Sequence, residues 1–290
     1  MDQLRSFRLE TASSKGPRPT CWKNPIRMFW AEPRPNNNAS SHKRRSSRFK
    51  TRWVLDQINI RSGARAVDIG CGPIGILDLL SERVGATGSV VGLEREERFV
   101  TMARAEIAQR GLSNVEVVQG AALSTGLPKS AFDLVHERLV MINVPTREAL
   151  LKEMISLFRP GGTIILEDID DISYTCVPLH LSWTILLDAF HTTFHANGAN
   201  AFIGRELTRY LRKAGIKNVR VKIHVGAVSP GEYRRTHLLS LLDVLHEKVV
   251  HSGVLTETQL SEHRAALIDH LKDPDTLLID KLLVQAWGQK

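Results

Sequence analysis

The sequence predicts an α/β protein with a mostly parallel sheet that helices cover on both faces. Short apolar runs alternate with amphipathic helical segments between residues 66 and 166, and such alternation is typical of parallel strands joined by helical crossovers. A glycine-rich turn follows the first apolar run, at the place where open parallel sheets bind ligands. The 290 residues are 42% hydrophobic and 24% charged, so the chain can build a sizeable core and wholesale disorder is excluded.

Each element is assigned from the hydrophobic spacing of its segment. In the alternating part, strands are predicted at 66–70, 89–94, 115–118, 132–135 and 163–166, and helices at 74–84, 96–110 and 147–158, after a lead-in helix that starts near residue 52. The remainder of the chain predicts helices at 178–194, 203–213, 233–251 and 256–271, and strands at 219–224 and 282–287. The predicted sheet therefore has seven strands.

The charge of the chain is unevenly distributed. The formal net charge is +8, but basic residues greatly outnumber acidic ones only in residues 1–65, and the remainder is mildly acidic. We therefore predict a basic, flexible segment at 1–51, followed by one domain at 52–290. Basic clusters of this kind also contact phosphates or anionic lipid, or serve as a nuclear address, and these interpretations stay open.

The cysteine content indicates the compartment. Cys21, Cys71 and Cys176 are the only cysteines, and they are widely spaced, which favours a reducing, cytoplasmic setting over a disulfide scaffold or a zinc site. No run approaches the roughly 18 apolar residues of a membrane helix, and the N-terminus lacks the apolar core of a secretory signal. We expect no membrane span.

The glycine-rich turn predicts a nucleoside-binding site. Gly70, Gly72 and Gly75 form G-x-G-x-x-G between a strand and a helix, where the backbone can approach a ligand and the helix offers free N–H groups. Glu94 ends the next strand, and a carboxylate there can accept both hydroxyls of an adenosine ribose. Asp68 precedes the turn, and its charge suits the ammonium of a methionine moiety but repels a pyrophosphate. S-adenosylmethionine is therefore favoured over a nicotinamide or flavin dinucleotide.

Four ordered motifs between residues 52 and 170 carry a resemblance to a known family. Val67–Gly75 and Glu94 match a glycine-rich first motif and an acid at the end of strand two. Phe132–Val135 and Leu151–Gly162 match a fourth-strand motif and the helix and turn before strand five. These motifs resemble those of class I S-adenosylmethionine-dependent methyltransferases. The end of the chain is similar to bacterial-type small-molecule members of the class at Gly204–Leu207, Lys213–Gly215 and Gln285–Gly288.

The resemblance implies a Rossmann-like sheet of seven strands, of the class I methyltransferase type, with its last strand antiparallel. Residues 172–202 and 227–272 would be helical insertions that form a lid over the cofactor cleft. S-adenosyl-L-methionine is the implied cofactor, and the candidate residues that bind it are Asp68, Gly70, Cys71, Gly72, Gly75, Glu94, Ala121, Ala122 and Arg138. Ala121 departs from the family pattern, which usually has an acidic residue there to accept from the adenine amino group.

Three histidines are candidate proton acceptors in catalysis. His136 directly follows strand four, and His191 and His195 lie four residues apart on one helix face. An unperturbed histidine titrates near neutral pH, which suits general base catalysis. The four-residue spacing can also hold zinc, but no third ligand is evident, so no metal is predicted. Packing of this helix against the core is the competing interpretation.

Carboxylates also cluster at the end of the fifth predicted strand. They are Glu167, Asp168, Asp170 and Asp171. Such close charges raise one another's pKa and cannot all be buried in the ionised form. We expect one or two of them to bind a polar group of the substrate.

We expect the protein to transfer a methyl group from S-adenosyl-L-methionine to O, N or C of a small molecule, such as a secondary metabolite, quinone, lipid or amine. Two alternatives stay open. The same fold serves proteins that catalyse a rearrangement or cyclisation without methyl transfer, and Ala121 gives that interpretation some footing. An RNA or DNA methyltransferase would bind phosphates through the basic N-terminal segment, but no nucleic-acid module is recognised. A homodimer is left open.

Overall fold

The fold is described by a computed structural model for residues 48–290. The strands are β1 (Arg65–Ile69), β2 (Ser89–Glu94), β3 (Val115–Gln119), β4 (Phe132–Arg138), β5 (Phe158–Asp170), β6 (Thr175–Val177), β7 (Lys217–His224), β8 (Ala227–Val228), β9 (Leu277–Ile279) and β10 (Leu282–Gln289). The helices are α1 (48–56), α2 (Leu77–Val84), α3 (Glu97–Arg110), α4 (Arg147–Leu157), α5 (Leu181–Ala196), α6 (Leu207–Lys213), α7 (His237–His251) and α8 (Glu257–Lys272).

Seven strands form one sheet in the order β3-β2-β1-β4-β5-β10-β7. β1 to β5 are parallel to one another, whereas β10 pairs antiparallel with both β5 and β7. The prediction of a seven-stranded, mostly parallel sheet with an antiparallel last strand is confirmed. Because β1 and β4 are neighbours, their carboxyl ends, and the side chains that follow them, meet at one edge of the sheet.

Apolar side chains cover both faces of the sheet, which explains why the strands read as short apolar runs. On one face, Val54 of α1 and Leu77 of α2 pack in a cluster with Ala66 and Trp287. On the other face, the helices α4, α5 and α6 pack in a larger cluster with strand residues such as Val67. The site residues are therefore carried by a sheet that is fixed by packing on both sides.

Some boundaries differ from the predictions. The predicted helix 74–84 begins only at Leu77, because residues 70–76 belong to the glycine-rich turn. β5 begins at Phe158, so the run predicted to end helix four is part of the strand. A second sheet, in the order β6-β9-β8, was missed, since strands of two or three residues have too few positions to show alternation.

The two predicted insertions, 172–202 and 227–272, pack against each other. Trp183 and Phe190 of α5 lie in one core cluster with Leu242 of α7 and Leu260 of α8. None of the helices in residues 48–290 is both long and apolar enough to cross a bilayer. Of the predicted basic segment 1–51, residues 1–47 lie outside the described residues, and 48–51 already belong to α1.

Candidate active site

The glycine-rich turn joins β1 to α2 at the carboxyl edge of the sheet. Gly70 and Gly75 have φ values of 70° and 49°, which side chains other than glycine rarely adopt. A Cβ at Gly70 would lie 2.6 Å from a methyl carbon of Val140, and a Cβ at Gly75 would lie 2.4 Å from the carbonyl oxygen of Cys71. By contrast, a Cβ at Gly72 would meet no atom within 4 Å. The turn is thus closely packed at Gly70 and Gly75, and it has open space beside Gly72.

Glu94 is held beside this turn by backbone donors. Its Oε2 accepts from the N–H of Gly72 at 3.0 Å, and its Oε1 accepts from those of Arg95 and Glu96 at 2.8 and 2.9 Å. Burial raises the pKa of Glu94, against the lowering effect of these hydrogen bonds. An ionised carboxylate offers about four lone-pair positions, so the oxygens retain capacity for ribose hydroxyls. The turn and this acid fit the nucleoside part of S-adenosyl-L-methionine.

Asp68 is linked to two other strands through His136. The Asp68 Oδ1 lies 2.7 Å from His136 Nδ1, and His136 Nε2 lies 2.9 Å from Glu167 Oε1. The His136 ring and the Glu167 carboxyl are fully buried, and Asp68 is 3% exposed. Asp68 and His136 are cross-strand partners in the β1–β4 register. A Cβ at Gly75 would lie 2.9 Å from Asp68 Oδ2, so the second oxygen faces the turn.

The Glu167 carboxylate receives further donors from α1 and β10. Its Oε2 accepts from Thr51 Oγ1 at 3.0 Å and from Gln285 Nε2 at 2.9 Å. Gln285 Nε2 also donates to the carbonyl oxygen of Lys50 at 2.9 Å, and Arg138 donates to Thr51 Oγ1 at 3.2 Å. A continuous chain of hydrogen bonds therefore runs from the glycine-rich turn to α1.

The charges in this chain argue against His136 as the proton acceptor that the sequence predicts. Burial alone would lower the pKa of His136, but the charges and hydrogen bonds of Asp68 and Glu167 raise it to about 9. Burial likewise opposes ionisation of Glu167, but the bond and charge of His136 hold its pKa below the usual value. His136 is therefore an imidazolium at neutral pH, with both ring nitrogens already bonded to carboxylates, and it has no lone pair to accept a proton.

A second cluster lies directly beyond β5. Asp171 Oδ2 lies 3.0 Å from His191 Nε2 and 3.1 Å from Lys281 Nζ. The ammonium of Lys281 stands over the rings of Tyr174 and Phe190, 4.6 and 5.1 Å from their centroids. This geometry is typical of a cation–π contact. The cluster joins α5 to the start of β10 at the same edge of the sheet as the glycine-rich turn.

Three buried polar atoms in this cluster have no hydrogen-bond partner within residues 48–290. They are Asp171 Oδ1, Tyr174 Oη and Trp183 Nε1, and the indole of Trp183 packs edge-on against Tyr174 at 4.9 Å between centroids. Buried polar atoms in native proteins are almost always bonded. A polar ligand that enters beside them would satisfy them, so the cluster can bind an acceptor through oxygen or nitrogen.

The other sequence-predicted site residues are dispersed. His195 is exposed on α5, one turn beyond the half-buried His191. Cys71 is buried in the turn, and Ala121 and Ala122 lie in a turn after β3 that the Ser124 N–H closes on the Ala121 carbonyl oxygen at 3.0 Å.

Two of the predicted carboxylates have structural partners. The two carboxylate oxygens of Asp170 accept hydrogen bonds from Nε and Nη2 of Arg205, each at 2.6 Å. Asp168 accepts from the Ile142 N–H at 3.0 Å, close to Glu137, which accepts from the Val140 N–H at 3.0 Å. Burial raises the pKa of Glu137 to about 7 and, with the Glu137 charge, also raises the pKa of Asp168. Glu137 and Asp168 thus fix the loop after β4, and Asp170 holds Arg205. Asp171 is the predicted carboxylate that belongs to the cluster with His191 and Lys281.

Sequence reasoning missed Lys281, Gln285 and Thr51. Lys281 and Thr51 stand in no motif, and Gln285 was noted only as the first residue of the C-terminal segment that resembles the family. The β5–β10 register, in which Gln285 pairs with Glu167, brings Gln285 to the site, and the packing of α1 brings Thr51 there. A polar residue inside an otherwise apolar terminal strand was the one signal that could have pointed to Gln285.

The sheet order and the glycine-rich turn are those of a nucleoside-binding α/β protein, and similarity to known proteins identifies the family. A family profile described as a methyltransferase domain matches residues 60–216, more than half of the chain. This chain belongs to the class I S-adenosylmethionine-dependent methyltransferases. It is an enzyme that uses S-adenosyl-L-methionine to methylate a small molecule.

Individual relatives narrow the comparison. The demethylmenaquinone methyltransferase of Geobacillus kaustophilus is 30% identical over 199 residues, which cover 63% of this chain and 85% of the relative. Phosphoethanolamine N-methyltransferase 2 of Haemonchus contortus, solved with S-adenosyl-L-methionine, has a TM-score of 0.52 at 13% identity, covering 83% of this chain and 52% of that one. The cyclase SpnF has a TM-score of 0.51 at 17% identity, covering 84% and 82%. At these identities the two structures show the shared fold alone.

Proposed function

We propose that this enzyme methylates a hydroxylated aromatic ring of the quinone type, with His191 as the general base. The observation that carries the proposal is the cluster of Asp171, His191 and Lys281 beyond β5, with its aromatic surroundings. The name of the Geobacillus relative supports a quinone-type acceptor. An aromatic ring with a hydroxyl group would match both the aromatic and the polar parts of this cluster.

The arrangement suits proton removal from a ring hydroxyl. A carboxylate accepts hydrogen bonds only, so the Asp171 bond assigns the proton to Nε2 of His191 and leaves the lone pair on Nδ1. His191 would take the hydroxyl proton, and the adjacent Lys281 charge would stabilise the resulting ring oxyanion. The ring carbon or oxygen would then take the methyl group that the bound cofactor supplies, and the electron pair of the broken carbon–sulfur bond would stay on sulfur. Where carbon is methylated, the proton of that carbon would pass to water as the ring regains aromaticity, and the imidazolium of His191 would return its proton to the ring oxygen.

We also propose which residues bind S-adenosyl-L-methionine. S-adenosyl-L-methionine, when bound, supplies the activated methyl group. We infer that Asp68 faces its ammonium, that Glu94 accepts from the ribose hydroxyls, and that the backbone around Gly72 lies against the nucleoside. We further infer that Ala121 and Ala122 border the adenine and that Arg138 lies near the methionine end, as the positions after β3 and β4 suggest.

The test is an assay with methyl-labelled cofactor and reduced demethylmenaquinone carrying a short side chain. The expected product has gained one methyl group by mass spectrometry. Transfer only to unrelated acceptors from a metabolite extract would reject the quinone type. Consumption of a substrate at unchanged mass, without turnover of the cofactor, would favour the cyclisation or rearrangement alternative. Methylated nucleic acid as the product would favour an RNA or DNA methyltransferase.

The base is tested by paired substitutions on one helix. His191→Asn should lower kcat by about 10²-fold or more, the usual contribution of a general base, while leaving the affinity for S-adenosylhomocysteine within twofold. The matched control is His195→Asn, one turn along α5 and exposed, which should retain kcat. Equal losses in both variants, or none in either, would remove His191 from the reaction.

A further inference from the structure

The hydrogen-bonded chain from the turn to α1 is buried over its whole length. Asp68, His136, Glu167 and Gln285 are all at most 3% exposed, as is Thr51 of α1. The members come from β1, β4, β5, β10 and α1, and the distances between bonded atoms range from 2.7 to 3.0 Å. Such a chain transmits a change at one end because every member has few alternative partners.

The chemistry of Glu167 makes the chain depend on α1. A buried carboxylate must have its lone pairs satisfied, or it carries a desolvation penalty. Thr51 supplies one donor to Glu167 Oε2, and the Lys50 carbonyl helps to hold the side chain that supplies the other. Without α1 on the sheet, Glu167 would lose the Thr51 donor, and more of its charge would act on His136. The positions of His136, and of the Asp68 carboxylate bonded to it, would then change.

Charged groups on β4 and α1 act on this chain. Arg138 on β4 and Lys50 on α1 attract Glu167, while Glu137 on β4 interacts with His136 from the opposite face of the sheet. His224 on β7 bonds Gln285 Oε1 at 2.7 Å. Glu167 is therefore attracted by the charges of Lys50 and Arg138 as well as by its hydrogen-bond donors. Its carboxylate has few other orientations that keep these interactions.

We propose that His136 is a positioning residue, and that seating of α1 on the sheet and recognition of the amino-acid end of the cofactor are coupled through Asp68, His136 and Glu167. The coupling rests on the proposed contact between Asp68 and the cofactor ammonium. It is reciprocal, as linkage requires: α1 in place orients Asp68, and a ligand that fixes Asp68 stabilises α1. His136 touches neither reacting atoms nor cofactor and acts through Asp68.

Two ligands separate this coupling from a loss of folding. S-adenosylhomocysteine carries the ammonium, whereas 5′-methylthioadenosine has the same nucleoside but lacks the amino-acid part. By titration calorimetry on the full chain, Thr51→Val should weaken S-adenosylhomocysteine at least about fivefold and leave 5′-methylthioadenosine within twofold. The matched control is Thr101→Val on α3, where the hydroxyl donates only to its own helix at Glu97; both affinities should stay as in the wild type.

His136→Gln gives the second arm, because glutamine cannot bridge the two carboxylates with charge. It should weaken S-adenosylhomocysteine by about tenfold or more, again without an equal effect on 5′-methylthioadenosine. A merely structural role predicts equal losses for both ligands, so that result would overturn the proposal. Retention of wild-type S-adenosylhomocysteine affinity by Thr51→Val would overturn it too.

Hydrogen exchange at the amides of 48–56 tests the reverse direction. In the wild type, S-adenosylhomocysteine should slow exchange there, 5′-methylthioadenosine should not, and Thr51→Val should abolish the difference. Equal slowing by both ligands would contradict the coupling. None of these measurements needs an acceptor, so they are independent of the proposed quinone-type reaction. Asp68→Asn tests the proposed contact between Asp68 and the cofactor ammonium. If this variant keeps the wild-type affinity for S-adenosylhomocysteine, Asp68 does not bind the ammonium, and the coupling fails with that assignment.

Discussion

Two glycines of the turn have different steric surroundings, although both have positive φ. A Cβ at Gly75 would lie 2.4 Å from the Cys71 carbonyl oxygen and 2.9 Å from Asp68 Oδ2, whereas a Cβ at Gly72 would meet nothing within 4 Å. Backbone strain applies to both positions, but the clash applies to one. Gly75 is therefore needed both for close packing and for its backbone conformation, whereas Gly72 is needed only for its backbone conformation.

Gly75→Ala should lower the free energy of unfolding by about 2–4 kcal/mol, since strain and overpacking add. Gly72→Ala, as the matched substitution, should cost about 1–2 kcal/mol from strain alone. Urea denaturation of the cofactor-free protein measures both. A larger loss for Gly72→Ala than for Gly75→Ala would contradict the packing argument.

The raised pKa of His136 makes stability depend on pH in a defined direction. Its pKa is about 9 in the folded protein, above the value of about 6.5 for an unfolded histidine. The stabilisation is complete below about pH 6.5 and is lost as the pH rises through 9, with a slope of at most about 1.4 kcal/mol per pH unit. Urea denaturation between pH 6 and 10 should show this loss in the wild type, relative to His136→Gln. An NMR titration of the His136 ring with a midpoint below 7 would refute it.

Among the secondary-structure elements, two helices have ends that local sequence patterns explain. α3 ends at Gly111 in the left-handed conformation, with φ of 63°, as the glycine after a charged helix predicts. α8 begins with a capping box, in which Thr256 and Gln259 bond each other's backbone N–H. Such local patterns specify where a helix starts and stops without reference to the rest of the fold.

Thr256→Ala should lower the free energy of unfolding by about 1 kcal/mol through loss of this cap. The matched control is Thr101→Ala on α3, whose hydroxyl bonds only its own helix and whose side chain is exposed, and it should change stability by less than about 0.5 kcal/mol. Thermal denaturation followed by circular dichroism compares the two. Similar effects from both variants would mean that the cap does not stabilise α8.

At the scale of the whole molecule, binding of the cofactor should be visible as global stabilisation. A ligand that binds only the folded state stabilises it by about 2.7 kcal/mol at a concentration one hundred times its Kd. S-adenosylhomocysteine should therefore raise the unfolding midpoint, and NAD at the same concentration should not. Glu94→Ala should weaken S-adenosylhomocysteine by about 1–3 kcal/mol through lost hydrogen bonds to a charged group. A midpoint raised by NAD alone would contradict the cofactor assignment.

The five parallel strands β1 to β5, the glycine-rich turn and the acid at the end of β2 could all be predicted from local sequence. These features are local: spacing sets each strand and helix, and Glu94 follows the turn after a single βα unit. The antiparallel entry of the last strand came from the family resemblance rather than from spacing, because pairing between β5 and β10 joins distant parts of the chain. The β6-β9-β8 sheet was missed because its strands have only two or three residues, which is too few to show alternation.

Strand order and register bring the site residues together, and the sequence alone does not show this. Asp68 and His136 are 68 residues apart, and Lys281 and Asp171 are 110 apart, so strand order and register, not sequence spacing, bring each pair together. The sequence marked His136 as a candidate base because a free histidine titrates near neutral pH. The carboxylates of Asp68 and Glu167 instead raise the pKa of the buried ring to about 9. These three side chains meet only after β1, β4 and β5 have paired side by side.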